Sequence, residues 1–216
     1  MDTTATQGLR ESKKLRTRAH LRATALELFL ERGFDAVSVA DVAAAAEVSK
    51  PTLFRYFPTK EDLVLDRFAD HQDEAARTVR DRPAGQSPVA ALHAQFTAAL
   101  AAHDPATGLS DLPDIVAFMR LLYSVDSLRR RLDRYTEREV ELLAEVLETE
   151  SVPPLTARLS ALHLVTVRHE LGRVNWARMA EGRTADEALA ESLADADQAF
   201  AALAHGLDTV LPVRAA

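Results

Sequence analysis

Apolar positions in this chain return every three to four residues, with charged and small polar residues between them, and no stretch alternates in the manner of a strand. The pattern predicts an all-α protein of about nine helices. The first helix starts at Ser12, carries Leu21, Ala25, Leu28 and Phe29 on one face, and stops at Gly33, a residue that tolerates the positive φ of a helix end. Ser38 with Asp41 marks the start of a second helix, lined by Val39, Val42, Ala43 and Ala46. Ser49 caps a third, with Pro51 in its first turn, where the missing N–H costs no helical bond. A helix, a turn of three to four residues and a short second helix make helix-turn-helix spacing. Pro58-Thr59 breaks the chain again, and Thr59 caps a fourth helix that runs to about Thr78.

Longer helices follow. Arg82 to Gly85 is a loop, and Ser87-Pro88 opens a helix ending near His103. After a loop with Pro105, Gly108 and Pro113, a short apolar helix spans Ile115 to Tyr123. Asp126 or Ser127 starts a charged helix to about Thr149, and Pro153-Pro154 opens another to about Glu181, closed by Gly182. Thr184 and Glu187 form a capping box for the last helix, which ends near Gly206. The expected divisions are a disordered tail over 1–11, a helix-turn-helix DNA-binding domain over 12–58, a larger helical effector-binding and dimerisation domain over 59–210, and a tail over 211–216.

The 216 residues suffice to bury a substantial core. Cysteine is absent, which excludes disulfides and thiolate metal sites and is compatible with a reducing cytoplasm, the expected location. No uncharged apolar run is long enough to span a membrane, and the apolar stretch after the basic N-terminal residues is broken by Arg22, Glu27 and Glu31, unlike a signal peptide. The net charge of −7 is unevenly spread: residues 1–60 hold ten Lys and Arg against seven Asp and Glu, and all four lysines (Lys13, Lys14, Lys50, Lys60) fall there. Positive charge gathered at one end of an acidic chain suits docking on phosphates, although a solvated basic tail has the same composition.

On the third helix, Val48, Leu53, Phe54 and Phe57 form the expected buried set, leaving Lys50, Thr52, Arg55 and Tyr56 outward. Such a helix fits the major groove. Lys50 can donate to guanine acceptors, and Thr52 can bond a phosphate or touch a thymine methyl. Arg55 and Tyr56 can hold phosphates, and Lys60 can hold another beside the backbone N–H groups of the next helix start. An ordinary amphipathic helix with a solvated polar side has the same pattern.

The stretches Arg18 to Phe34, Ser38 to Ala43 and Val48 to Leu63 (VSKPTLFRYFPTKEDL) resemble the DNA-binding domain of TetR-family transcriptional regulators. The resemblance implies DNA-facing positions at Ser38, Ala40, Ser49, Lys50, Pro51, Thr52, Phe54, Arg55, Tyr56 and Lys60. Two residues depart from the family pattern. Phe54 stands where tyrosine is usual, so a phosphate-bonding hydroxyl is missing. Glu47 replaces the usual turn glycine and is strained by roughly 1 kcal/mol if its φ is positive. Ala40 can offer a base only a methyl contact.

The resemblance further implies a homodimer paired through the last two helices and a double-stranded DNA operator of near-palindromic half-sites. Leu155, Leu159, Leu162 and Thr166 stripe the penultimate helix, and Ala188, Leu189, Leu193, Ala196, Phe200, Leu203 and Leu207 the last. Packing within one chain would produce the same stripes. An unidentified amphipathic small-molecule effector is expected within the middle helices, with candidate lining residues Phe96, Leu100, Ile115, Phe118, Met119, Leu122, Tyr123, His163, Val167, Arg168, Leu171 and Trp176. Any of these can instead be plain core. Arg120-Leu-Leu with Arg129, Arg131, Arg134 and Tyr135 resembles the regulatory domain of mycofactocin-system regulators, a TetR subgroup associated with acyl-CoA ligands.

No cofactor or metal is implied. His169-Glu170 lacks a second histidine four positions on, and His163 and His169 lie on different sides of their helix. No phosphate loop, nucleophile elbow or cysteine nucleophile is present, so an enzyme is not expected. The expected function is a ligand-responsive transcriptional repressor. The competing reading is a helical small-molecule- or partner-binding protein without useful sequence-specific DNA recognition, motivated by the acidic body, Phe54 and Glu47.

Overall fold

The computed structural model describes residues 3–69, 71–207 and 209–211, with side chains from Ser12 onward. Among the described residues the regular structure is helical throughout, and no helix is long and apolar enough to cross a membrane. The chain divides into two compact units, one built from Met1–Ala69 with Leu121–Leu132 and the other from Asp70–Arg120 with Asp133–Ala216. The fourth helix, expected in the larger domain, groups with the first unit.

The first unit contains α1 (Thr3–Arg32), α2 (Val39–Ala45), α3 (Lys50–Tyr56) and α4 (Asp62–Ala69), with the end of α7 (Pro113–Ser124) and the start of α8 (Asp126–Thr149). Residues 3–11, part of the tail expected to be disordered, continue α1. No proline interrupts them, and extending an existing helix adds a bond per residue without a new nucleation cost. Residues 1 and 2 lie outside the described residues. Leu21, Ala25, Val37, Val42, Leu53, Leu63 and Leu65 are fully enclosed, with Phe29 and Phe57 nearly so. Burying each of the larger side chains contributes roughly 1.5–3 kcal/mol. Phe29 and Phe34 rings tilt against each other at 4.9 Å, within the range favoured by aromatic pairs.

Two carboxylates are also buried here, Asp62 and Asp66, one turn apart on α4. Asp66 accepts from Arg18, whose Nε lies 3.0 Å from both oxygens, and Arg22 sits 3.6 Å away. Asp62 accepts from Arg131 Nε and Nη2 at 3.0 and 3.1 Å. The same Asp62 closes a cap with Thr59, whose N–H donates to Oδ2 at 3.1 Å. A buried charge requires this kind of pairing.

The single fourth helix expected from Thr59 to Thr78 is two helices, α4 and α5 (Glu74–Arg80), separated by a turn at 71–73. No glycine or proline marks the break. The turn holds His71 and Asp73, residues that favour a helix less than Leu or Ala do. Gln72 Nε2 then donates to the Tyr135 carbonyl at 3.2 Å, holding the turn.

The second unit is assembled from α5, α6 (Pro88–Ala101), a 3-10 turn (Pro105–Thr107), the first part of α7, the rest of α8, α9 (Pro154–Ala180) and α10 (Ala185–Leu207). Ser87 caps α6 by accepting from Ala90 N, with Pro88 in the first turn as expected. The α10 helix packs on α6 and α9. Phe200 stacks on His93 at 5.1 Å and tilts against Phe96 at 6.2 Å. Arg178 ties α9 to α10, donating to Ser192 at 3.3 Å, Glu191 at 2.8 Å and Asp195 at 2.5 Å. Arg82, fully enclosed, donates to both Glu150 oxygens and to the Val79 and Gln86 carbonyls. Gly108 lies so close to α9 that a Cβ there would stand 2.0 Å from the Gly172 carbonyl oxygen. Asn175 donates to the Thr107 carbonyl at 2.9 Å and fixes the same approach. The tail expected over 211–216 begins with a buried Leu211, whose N–H donates to Leu207 O at 2.9 Å; residues 212–216 lie outside the described residues.

Candidate functional site

The turn between α2 and α3 is built from local hydrogen bonds. Ser38 caps α2: its hydroxyl accepts from Asp41 N at 3.1 Å, and its own N–H donates to Asp41 Oδ2 at 2.8 Å. The Ser38 hydroxyl, then its backbone N–H, hold the Asp41 carboxyl below the usual carboxylate range. At the other end of α2, Val48 N donates to Ala43 O at 2.9 Å and Glu47 N to Ala44 O at 3.1 Å. These are the two bonds of a Schellman motif, whose C′ residue is left-handed and usually glycine. Here that residue is Glu47, at φ 54°. The strain anticipated from the sequence is present.

Ser49 caps α3. Its hydroxyl accepts from Thr52 N at 3.2 Å and lies 2.8 Å from the Thr52 hydroxyl. Leu53 and Phe57, four residues apart, fill the inward face. Lys50, Pro51, Phe54 and Arg55 make a continuous exposed stripe on the other side, with Thr52 and Tyr56 half-buried along its edge. Phe54 is 44% exposed, which corrects its place in the expected buried set: Leu53 takes the inward face of the seven-residue helix, Phe57 follows at its C-cap, and Phe54 is turned from Leu53 by about 100°. Val48 is half-buried.

The other candidate DNA-facing residues are placed as follows. Ala40 is exposed near the start of α2, and Ser38 and Ser49 are exposed with their hydroxyls used in caps. The Arg55 guanidinium lies 5.7 Å from the Tyr56 ring centre. Lys60 is half-buried and turned inward: its ammonium donates to the Phe34 carbonyl and lies 4.2 Å from the Phe34 ring centre and 5.6 Å from that of Phe29. Nothing in the local sequence pattern signals that contact.

In the second unit, Phe96, Leu100, Phe118, Leu171 and Trp176 are buried, while Ile115, Met119, Val167 and Arg168 are half-buried. Leu122 is fully enclosed and Tyr123 half-buried, but both group with the first unit. His163 departs from its expected interior place. It is exposed on α9 beside Leu159 and Leu162, because its position falls on the outer side of that helix. Arg168 enters a polar cluster that sequence reasoning does not find. Its Nη1 donates to Glu139 at 2.8 Å, Glu139 also lies 2.8 Å from His169 Nε2, and Gln95 donates to Glu74 at 3.0 Å nearby. The Arg168 Nε is buried without an acceptor among the described residues. Glu139 sits in a charged stretch of α8, so only its packing against α9 distinguishes it from the solvated residues around it. Arg131 and Arg129, part of the mycofactocin-like pattern, pair with Asp62 and Asp126.

Comparison with known proteins supplies the family. Residues 21–66 match bacterial regulatory proteins of the tetR family. The HTH-type transcriptional regulator TcmR of Streptomyces glaucescens is 32% identical over 168 residues, covering 77% of this chain and 74% of TcmR. The putative mycofactocin biosynthesis transcriptional regulator MftR of Mycobacterium tuberculosis is 42% identical over 52 residues, 24% of this chain and 26% of MftR. The solved structure of the transcriptional regulator FadR from Bacillus subtilis in complex with stearoyl-CoA is similar with a TM-score of 0.52 at 16% identity, covering 87% of this chain and 98% of FadR. The helix-turn-helix match and the extended likeness to TcmR lead to one conclusion: the chain belongs to the TetR family of DNA-binding transcriptional regulators, proteins that act by binding operators rather than by catalysis.

Proposed function

We propose that this regulator is a homodimeric repressor that leaves a near-palindromic operator when an amphipathic small molecule enters its helical body. The observation that carries the DNA-binding part is the outward stripe of α3, which sets Lys50 and Arg55 around Phe54 while Leu53 and Phe57 anchor the helix from behind. In this reading Lys50 donates to base edges, Arg55 and Tyr56 bond phosphates, and Ala40, Pro51 and the exposed part of Thr52 supply apolar contacts. Ser38 and Ser49 hold the two helices in register through their caps. Lys60 braces the start of α4 and reaches a phosphate only by giving up the Phe34 carbonyl. The DNA-binding function is proposed for the helix-turn-helix over 12–58, with α4 grouped beside it, and the effector and dimer functions for the second unit. The operator lies with the chromosome, so the proposed compartment is the cytoplasm.

The dimer is proposed through α9 and α10. Leu155, Leu159 and Leu162 are 72%, 46% and 44% exposed on one face of α9, an apolar stripe that a second copy would cover. His163 joins that face rather than the effector site. On α10 the share left for a partner falls to Leu189, Leu193, Leu203 and Leu207, since Ala188, Ala196 and Phe200 are buried within the chain. The effector site is proposed among Phe96, Leu100, Phe118, Met119, Val167, Leu171 and Trp176, with Arg168 as its polar group. The buried Nε–H without an acceptor suits the oxygen of an amphipathic molecule, the class to which the stearoyl-CoA bound by FadR belongs. The ligand acts only to the extent that it binds the DNA-released conformation more tightly.

A salt titration tests the docking. Log affinity for the operator should fall steeply with log salt, by about one unit of slope per phosphate neutralised, and a flat response defeats the proposal. Lys50→Ala should relax base preference, whereas Arg55→Ala should weaken every duplex alike.

A further inference from the structure

We propose that Phe54 reads the 5-methyl group of a thymine in each operator half-site, which makes it a determinant of sequence preference rather than of grip. This rests on the docking reading above and deepens it. Phe54 is a large apolar side chain left 44% exposed near the centre of the α3 stripe. Lys50 lies one turn before it and Arg55 directly after it, both exposed. That flanking charge makes a purely apolar partner unsuitable and selects a polyanion that also offers an apolar feature.

A duplex offers few such features. Phosphates and base edges present donors and acceptors, which a phenyl ring cannot match. The deoxyribose is apolar but lies on the groove wall and is the same for every sequence. The thymine methyl stands on the groove floor, is apolar, and identifies one base. On a helix lying in the major groove, Lys50 and Phe54 share a face one turn apart, so a lysine contact to guanine and a phenyl contact to thymine fall on neighbouring base pairs. A tyrosine here would carry a hydroxyl able to bond a phosphate. Phenylalanine removes that choice and leaves only the apolar contact.

Replacing thymine with uracil deletes the methyl and nothing else. The experiment selects duplexes from a random pool with the full-length protein at low salt. It then measures affinity by fluorescence anisotropy with each thymine of the selected duplex changed singly to uracil, for the unaltered protein and for Phe54→Ala. At one thymine per half-site, uracil should weaken the unaltered protein about four-fold, the effect of losing one buried methyl. Phe54→Ala should bind the selected duplex more weakly and lose sensitivity to that replacement. Phe54 is exposed, so the variant should keep the unfolding midpoint of the parent, and the uracil scan on the unaltered protein tests the methyl contact without it. A scan with no sensitive thymine overturns the proposal, as does equal sensitivity in Phe54→Ala. Failure to enrich any duplex overturns the docking reading itself, which separates the two.

Discussion

Glu47 occupies a backbone position that most residues avoid, since an L side chain in the left-handed region crowds its own carbonyl. Changing it to glycine removes that strain but adds freedom to the unfolded chain, and the two terms oppose each other. Glu47→Gly should therefore stabilise the protein by only about 0.5 kcal/mol, read as a small rise in the denaturant midpoint at unchanged slope. Ser38→Ala should cost about 1 kcal/mol, because its hydroxyl is the cap of α2, so a DNA-binding defect in that variant must be compared at matched folded fraction. Both serine caps are legible because a cap depends on residues a few places apart, whereas the Glu47 turn is legible only through the family resemblance, in which glycine is usual there. The outward turn of Phe54 escapes hydropathy, although the family resemblance sets it among the DNA-facing positions, and the inward turn of Lys60 escapes both. Hydropathy sends every phenylalanine inward, and the partner that turns the Lys60 ammonium inward lies 26 residues away, in the turn after α1.

The same helix ending recurs through the molecule. After α6, Asp104 N donates to Ala99 O and His103 N to Leu100 O, with His103 at φ 52°. After α8, Val152 and Ser151 repeat the pair, with Ser151 at φ 69°. Helix ends without glycine are hard to read from sequence, whereas the glycine ends at Gly33 and Gly182 were read directly. The break between α4 and α5 escapes sequence reasoning for a related reason: no punctuating residue marks it. Close packing of elements makes a sharper prediction at Gly108. A methyl there would overlap the α9 backbone, so Gly108→Ala should cost about 2 kcal/mol or more. At Gly172 a methyl would meet the Thr107 oxygen at an ordinary 3.6 Å, so Gly172→Ala should be neutral or slightly stabilising. Thermal melts of the two variants compare them directly. Arg131→Ala leaves the buried Asp62 carboxylate with its cap alone and should cost about 3 kcal/mol, whereas Arg131→Leu with Asp62→Leu should recover part of that loss.

At the scale of the whole chain, fold class and family were legible because helical periodicity repeats over long stretches and the motif from Val48 to Leu63 is specific. The division of α10 between core and outer face was not, since both uses need the same stripe. Only the exposure of Leu155, Leu159 and Leu162 on α9 separates a face left open from one filled internally. Leu159→Glu should halve the mass measured by sedimentation and leave the stability of the single subunit within about 0.5 kcal/mol, since the side chain is exposed there. Loss of operator affinity should accompany it, because one head neutralises half as many phosphates.

The inward turn of Lys60 has a practical side. Every lysine lies within the first 60 residues; Lys50 is exposed, whereas Lys60 is half-buried with its amine on the Phe34 carbonyl. Acylating reagents should therefore mark Lys50 quickly and Lys60 slowly, giving a built-in internal standard for mapping protection by a bound duplex. The same distribution warns against amine coupling to a sensor surface, which would tether the molecule by the very end that has to meet its target.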